Sequence, residues 1–493
     1  MIDELEPHMQ ETSSSMIAVA ATSGLTGLFS AQRVAASRHM DVPLSERSGR
    51  LRRIAALWND NRAALADAVA ADFGVRGQRL TQLADGLVLD GLLAELRRKL
   101  PLWSEPKRAR TPLYLRPGRA CIQRQPLGVV GIMSPWNYPL QLTLGPAATA
   151  LAAGNRVLLK PSEQTPQTAE LLATLVARYF EPAELAVVNG GADIAAAFAE
   201  LPFDHLFFTG STAVGRKVAQ AAARNLTPVT LELGGKSPCI IDRSCSNLDD
   251  AARRIAVGKL LNAGQTCIAP DYLLLPRGRE EAFSEAYQRE ISRLYPEVVG
   301  NRDYAAMVGP RQYARQLELV EEARAGGARV DDVGPPAMGR PQTDAERRQI
   351  RPQLVFDLPA GCRLLEEEIF GPVLPVLTYD ALDTVIAYIN ARARPLALYW
   401  FGSDATSRDR VLRETVSGGV TVNDTLMHVA HPALPFGGVG ASGMGAWHGE
   451  AGFLRFTHQK SVFLQSPAAL GGLLDPPYGR RFRRMMALIR HLL

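Results

Sequence analysis

Between residues 127 and 235, short apolar runs alternate with longer amphipathic ones, and this alternation restricts the fold more than any other feature of the chain. VVGIM, RVLLK, LAVVNG, DHLFFTG and PVTLELGG read as strands. LQLTLGPAATALAAG, QTAELLATLVARYF and TAVGRKVAQAAA read as helices between them. Strands apolar on both faces and separated by helices make a parallel sheet covered on both sides. A second α/β region is expected after Gly235, with CIIDRS, DYLLLP and PVLPVLTY as strands. Residues 28 to 100 repeat apolar positions at three- and four-residue spacing, in LFSAQRVAASR and in RSGRLRRIAALWNDNRAALADAVAADF, and read as helices. The chain changes character from Pro101 to Pro126, where PLYLRPGRACIQRQPLG reads as a β-ribbon turning at Pro117 and Gly118. KSVFLQS reads as a lone strand near the end.

At 493 residues the chain has room for two or three domains with full cores. Its charge is uneven. The last sixteen residues hold five of the fifty-five Lys and Arg and no acid, so the rest balances fifty cations against fifty anions. A neutral body argues against a nucleic-acid-binding face. Cys121, Cys239, Cys245, Cys267 and Cys362 form no CxxC pair and no Cys/His cluster with zinc spacing. A reduced, cytoplasmic protein without a metal site is expected. Residues 1 to 24 read as a mobile tail: Asp3, Glu4, Glu6 and Glu11 stand where a signal peptide needs basic residues. No run is long and apolar enough to span a bilayer.

Five stretches carry polar groups that a core does not need. NAGQTCIAPDY, residues 262 to 272, sets Cys267 among glycine and amides, as a nucleophile or as a small buried hydrophobe. SPWNYPL, residues 134 to 140, holds Asn137 between two prolines. A rigidly placed amide suits an oxyanion, although asparagine is also common in turns. LELGGKSP ends an apolar strand on Glu232, where desolvation raises a carboxyl toward a general base; a turn cap is the alternative. FTGSTAVGRKV passes through Gly210 and Ser211 into a helix whose free N–H groups suit a phosphate, or Ser211 is simply an N-cap. LLKPSEQTP puts Lys160 at a strand end and Glu163 three residues on, suited to the hydroxyls of a ribose or to a capped helix start.

PWNYP, KPSE, FTGS, LELGGK, GQTC, EEIFGP and PFGGVGASGMG follow one another in an order that resembles the aldehyde dehydrogenase superfamily from about Leu25 to Ser466. GQTCIAPDY, TVNDTLMHV and GMGAWHGEAGF resemble its class 3-like branch, and the basic PPYGRRF ending resembles bacterial coniferyl aldehyde dehydrogenases. The resemblance implies a Rossmann-like NAD-binding domain, an α/β catalytic domain and a β-ribbon that pairs subunits into a homodimer. It places the NAD domain at 25–235 with the ribbon at 106–125, the catalytic domain at 236–422, and a return to the NAD domain at 423–467, where 453–467 suits the ribbon. It makes Cys267 the nucleophile, Asn137 and the Cys267 N–H the oxyanion donors, and Glu232 the base for water. Lys160 and Glu163 would hold the adenine ribose, and Ser211 with the following helix the pyrophosphate. Glu368 would hold the nicotinamide ribose, with Phe370, Trp136, Gly210 and Leu233 around the ring.

The expected activity is oxidation of an aromatic or medium-chain aldehyde to its acid, through a thiohemiacetal and a thioester on Cys267. Glu232 favours acid formation over transfer to a thiol such as CoA. Glu163 favours NAD over NADP, because a carboxylate repels a 2′-phosphate, although the branch also accepts NADP. A non-catalytic member of the family is the alternative, and intact Cys267, Glu232 and Asn137 argue against it. His428, His431 and His448 read as structural or pocket-lining, and Tyr138, Trp400, Phe401, Met427 and Phe436 as candidates for the substrate tunnel. In the basic tail, residues 468–493, one helical stripe holds Phe482, Met485, Met486, Ile489, Leu492 and Leu493. Packing on its own body or on a partner subunit is expected ahead of an anionic membrane surface.

Overall fold

The computed structural model describes residues 24–335, 343–468, 472 and 474–492; the expected N-terminal tail lies outside these but for Gly24. An N-terminal helix, 24–38, is followed by Leu44–Asp60 and Arg62–Phe73. The stretch RSGRLRRIAALWNDNRAALADAVAADF thus holds parts of two helices, which meet at Asn61, whose amide turns back to donate to the Leu57 carbonyl at 2.8 Å. The next helix, Leu87–Ser104, runs through Pro101 rather than ending there. Proline in a last turn removes one hydrogen bond without breaking the turns before it.

The first strands are β1 (Lys107–Ala109), β2 (Arg119–Pro126), β3 (Val129–Met133), β4 (Arg156–Lys160), β5 (Leu185–Val187), β6 (His205–Thr209) and β7 (Val229–Glu232). Then come β8 (Pro238–Ile241), β9 (Tyr272–Pro276), β10 (Arg329–Asp332), β11 (Thr343–Asp344), β12 (Gln349–Ile350), β13 (Gln353–Phe356), β14 (Val373–Tyr379), β15 (Ala397–Phe401) and β16 (Gly419–Val422). The last two are β17 (Gly443–Met444) and β18 (Thr457–Leu464).

Six strands form one sheet in the order β17-β7-β6-β3-β4-β5, parallel except for β17. From β3 the chain moves outward through β4 and β5, then returns to place β6 on the other side of β3. The carboxyl ends of β3 and β6 therefore flank a topological switch point, where open α/β sheets leave a crevice. Seven strands form the second sheet, β10-β13-β14-β9-β8-β15-β16, antiparallel only at the β10 edge. The helix Gln141–Ala152 is buried on every side, which explains why its sequence carries no charge and is mostly apolar. A further helix, Ala192–Ala199, lies in a stretch where the sequence offered no clear period.

β1, β2 and β18 make a separate antiparallel sheet. KSVFLQS is therefore not alone: β18 pairs with β2 along its whole length, from Thr457 opposite Pro126 to Leu464 opposite Arg119. Residues expected in the ribbon before Thr457 belong instead to the helix Gly449–Arg455. The tail forms the helix Arg480–Leu492 beside the turn Leu113–Leu115. Ile489 is buried and Phe482, Met485 and Met486 are half-buried, so these members of the stripe face the body and the arginines face outward, while the side chains of Leu492 and Leu493 lie outside the described residues. Among the described residues no helix is long and apolar enough to cross a membrane.

Candidate active site

The switch-point crevice deepens into a cavity of about 540 Å³. Trp136 and Asn137 reach it from the segment after β3, Gly210 and Ser211 from the end of β6, and Glu232 and Leu233 from the end of β7. Cys267, Glu368 and Phe370 close it from the other sheet. Nine of the eleven expected site residues thus line one space. Lys160 and Glu163 stand beside it at the end of β4, joined by an ion pair of 3.1 Å. A larger open groove of about 650 Å³, at Arg277, Arg329 and Tyr388, contains none of them.

Cys267 is delivered by an unusual turn. After the helix Leu248–Leu260, Asn262, Ala263 and Gly264 take φ values of 52°, 53° and 79° in succession. Only glycine fits the third position, because a Cβ there would stand 2.2 Å from the Gly371 carbonyl oxygen. Gln265 then anchors the loop: its amide donates to Asn262 and Ala306 carbonyls at 3.0 and 2.9 Å and accepts the Val308 N–H at 2.9 Å. Such an overdetermined run of left-handed residues is a common sign of a functional turn.

Asn137 faces this loop. Its side-chain amide donates to the Gln265 carbonyl at 3.1 Å, leaving one N–H for a ligand. Its own carbonyl accepts from Arg76 at 2.6 Å and from Asn262 at 3.0 Å. Arg76 is in turn paired with Asp85 at 2.6 Å, both side chains being fully buried. Asp85 also accepts the N–H groups of Leu140 and Gln141 at 3.2 and 3.1 Å. Burial pushes its carboxyl pKa up, against the pull of Arg76. Removing one partner of a buried pair strands the other charge, so Asp85→Ala is expected to lose about 3–5 kcal/mol in urea unfolding. Turnover should also fall as Asn137 loses its support.

The electrostatics are dominated by burial. Desolvation pushes the Cys267 thiol pKa up, with Glu368 and Glu232 adding to the rise and the N–H groups of Cys267 and Ile268 opposing it. Glu232 is 3 % exposed, and neither carboxyl oxygen has a hydrogen-bond partner. Burial raises its pKa well above 4.5, with Arg455 opposing. Glu368 is pushed up to about 8 by burial and Asp271, against the Gly235 N–H, Lys236 and Arg315. Buried carboxyl oxygens left unpaired at a cavity wall are available to a ligand or a water.

The cavity also fits an elongated anionic cofactor. Ser211 caps the helix Thr212–Ala223, accepting the Val214 N–H at 3.4 Å, so the N-cap reading holds, and Ser211, Thr212 and Ala213 line the cavity at this helix start. A Cβ at Gly234 would stand 2.1 Å from Glu368, so the bare backbone there lets Glu368 lie against the turn after β7. Phe370, at φ 53°, meets Trp136 edge-on with ring centroids 5.3 Å apart.

Some expectations fail. Trp400 and Phe401 lie on β15 inside the second sheet, and Met427 is exposed. Tyr138 bonds Thr266 at 2.5 Å, and Phe436 is stacked between His428 and His448. None of these five lines the cavity. Burial pushes the two histidines down to about 4 and about 3, consistent with neutral, structural rings. Arg315 lines the cavity but was not legible, since a lone arginine on a polar helix has no local signature.

The aldehyde dehydrogenase family model matches residues 2–462. A Pseudomonas sp. protein described as coniferyl aldehyde dehydrogenase is 46% identical over 448 residues, covering 90% of this chain and 92% of that protein. A structure described as the substrate-bound state of Staphylococcus aureus AldH superposes with a TM-score of 0.89 at 37% identity, covering 94% of this chain and 99% of that one. A Mycobacterium tuberculosis aldehyde dehydrogenase complexed with NAD⁺ superposes with a TM-score of 0.78 at 29% identity, covering 89% of each chain. The chain therefore belongs to the aldehyde dehydrogenase family and is an oxidoreductase that oxidises aldehydes with NAD(P)⁺.

Proposed function

We propose that the chain converts an aromatic aldehyde of the coniferaldehyde type to its carboxylic acid. The observation that carries this reading is the meeting of Cys267, Glu232 and Asn137, from three separate segments, at one cavity. The identity to a coniferyl aldehyde dehydrogenase supports the substrate class.

Aldehydes do not give up hydride readily, because the carbonyl carbon is electron-poor. The Cys267 thiolate adds to that carbon and leaves an alkoxide. The free N–H of Asn137 and the Cys267 backbone N–H stabilise this charge, each such donor being worth roughly 10²–10³ in rate. Bound NAD(P)⁺ supplies the hydride acceptor. Loss of hydride leaves a thioester on Cys267. Glu232 takes a proton from water, the hydroxide attacks the thioester, and its collapse releases the acid and expels the Cys267 thiolate, after which Glu232 returns its proton to solvent.

Lys160 and Glu163 would hold the adenine ribose of a bound dinucleotide, and Ser211 with the helix after it the pyrophosphate. Glu368 would hold the nicotinamide ribose, with Trp136, Gly210, Leu233 and Phe370 on the nicotinamide side. Glu163 favours NAD⁺, with NADP⁺ accepted. The six-stranded sheet, including β17, is the core of the dinucleotide domain, and the seven-stranded sheet that of the catalytic domain. The ribbon sheet, with exposed Phe463 and Leu464, serves a homodimer in a reduced cytoplasmic setting.

The test is NADH production from coniferaldehyde, benzaldehyde and hexanal. Coniferaldehyde is expected to exceed hexanal in kcat/KM by at least about tenfold, the discrimination a well-filled apolar pocket supplies. A preference for hexanal would move the assignment to medium-chain aliphatic aldehydes.

A further inference from the structure

Two charged residues outside the lining of the cavity hold part of its wall. Lys236 follows Glu232 by four positions, and Asp271 follows Cys267 by four. Their side chains are 10% and 4% exposed and pair at 2.5 Å. The Lys236 ammonium has three N–H donors, and all are used: the Asp271 carboxylate, the Leu364 carbonyl at 2.8 Å and the Glu367 carbonyl at 2.9 Å. The second Asp271 oxygen accepts the Ile369 N–H at 3.0 Å. The pair thus grips the backbone on both sides of Glu368. Arg315 adds bonds to the Glu368 and Ile369 carbonyls at 2.8 and 2.9 Å, and Gln316 one to Ile369 at 2.7 Å.

We propose that Lys236 and Asp271 are positioning residues: they fix the Glu367–Ile369 backbone so that Glu368 and Phe370 meet the dinucleotide in the geometry that hydride transfer requires. The proposal rests on the assignment of Glu368 and Phe370 to the nicotinamide side. Two features of the loop require such a grip. Phe370 sits at φ 53°, a conformation that persists only where its surroundings overdetermine it. Glu368 packs over Gly234, so a small shift of the loop would close or open that contact. A buried ion pair is poor value for stability alone, but each charge here has full hydrogen bonding and a structural target.

The pair also has an electrostatic signature. Lys236, Asp271, Arg315, Lys259 and Cys267 are the charged and titratable groups that act with Glu368. Lys236 lowers the Glu368 pKa and Asp271 raises it. Loss of the lysine charge therefore moves Glu368 titration to higher pH, and loss of the aspartate charge moves it to lower pH. A merely structural role would damage both variants alike without opposite displacements.

The experiment compares the full-length chain with Lys236→Met, Asp271→Asn, their double variant and Glu368→Gln. Hydride transfer is followed by stopped flow across pH, and Cys267 alkylation by iodoacetamide is followed without dinucleotide. Both single variants should lose about 10²-fold in hydride transfer, the cost of a misplacement near 1 Å. Alkylation and aldehyde KM should stay near wild type, and the double variant should be no slower than the slower single. The pH limb absent from Glu368→Gln should move up in Lys236→Met and down in Asp271→Asn. Unchanged rates, or limbs displaced in the same direction, overturn the proposal. If Glu368→Gln itself keeps the wild-type rate and limb, the assignment of Glu368 fails and the grip fails with it. If Glu368→Gln is impaired and the other variants are not, only the grip fails. Should Lys236→Met not fold, the near-isosteric Asp271→Asn decides by the direction of its displacement.

Discussion

Cys267→Ala is expected to abolish NADH formation from coniferaldehyde, with a loss on the order of 10⁶ in kcat, the scale seen when a nucleophile is removed. Dinucleotide binding, read by NADH fluorescence, should persist, because no expected cofactor contact depends on the sulfur. None of the other four cysteines can substitute: Cys239, Cys245 and Cys362 are buried elsewhere, and Cys121 lies on the ribbon strand β2. Without a thiolate to add to the carbon, the carbonyl oxygen never becomes an alkoxide, and hydride has no electron push behind it. Because burial raises the Cys267 thiol pKa, alkylation in the dinucleotide-free protein should be slow at neutral pH and accelerate as pH rises. Turnover that survives in Cys267→Ala would overturn the mechanism.

Glu232→Gln should separate the two halves of the reaction. Hydride transfer does not use the base that activates water, so one equivalent of NADH should still appear in a burst. Release of the acid needs a base, and its loss should slow steady-state turnover by roughly 10²–10⁴-fold. A small added thiol should relieve the block by accepting the acyl group. The wild-type rate should rise into the alkaline range, since the Glu232 pKa is raised and its base form appears only as pH increases. That rise should be missing in Glu232→Gln. Stability should move the other way. A carboxyl whose folded pKa lies above its unfolded value of 4.5 takes up a proton on folding. Its contribution is fully present below that unfolded value and fades as pH rises through the folded pKa. The Tm of Glu232→Gln relative to wild type should therefore improve from pH 5 to pH 8. A steady-state rate equal to wild type, without a burst, would remove Glu232 from the mechanism.

Much of this was legible in the chain. VVGIM, RVLLK and the helix TAVGRKVAQAAA lie at the expected residues, because apolar runs and three- to four-residue spacing report burial locally. Cys267, Glu232 and Asn137 stood out because each carries a polar function where packing asks for none. What was misread depended on neighbours distant in sequence. Trp400 and Phe401 suggested a tunnel, yet their strand lies inside the second sheet, where large aromatics fill core. The residues of KSVFLQS alone named no partner, because β2 is more than three hundred residues away, and only the family resemblance set this stretch in the ribbon.

The sequence by itself determined the α/β class, most of the elements and the polar groups able to do the chemistry, since each follows from local periodicity or from the character of a single side chain. Only the tertiary structure decided which of these groups meet. Asn137 reaches Gln265 across 128 positions, and Lys236 reaches Leu364 across another 128. Contacts of that span are set by the order in which strands assemble, and by the switch point that this order leaves between β3 and β6. No local pattern encodes that order, so the grip on Glu368 became visible only when both sheets were in place.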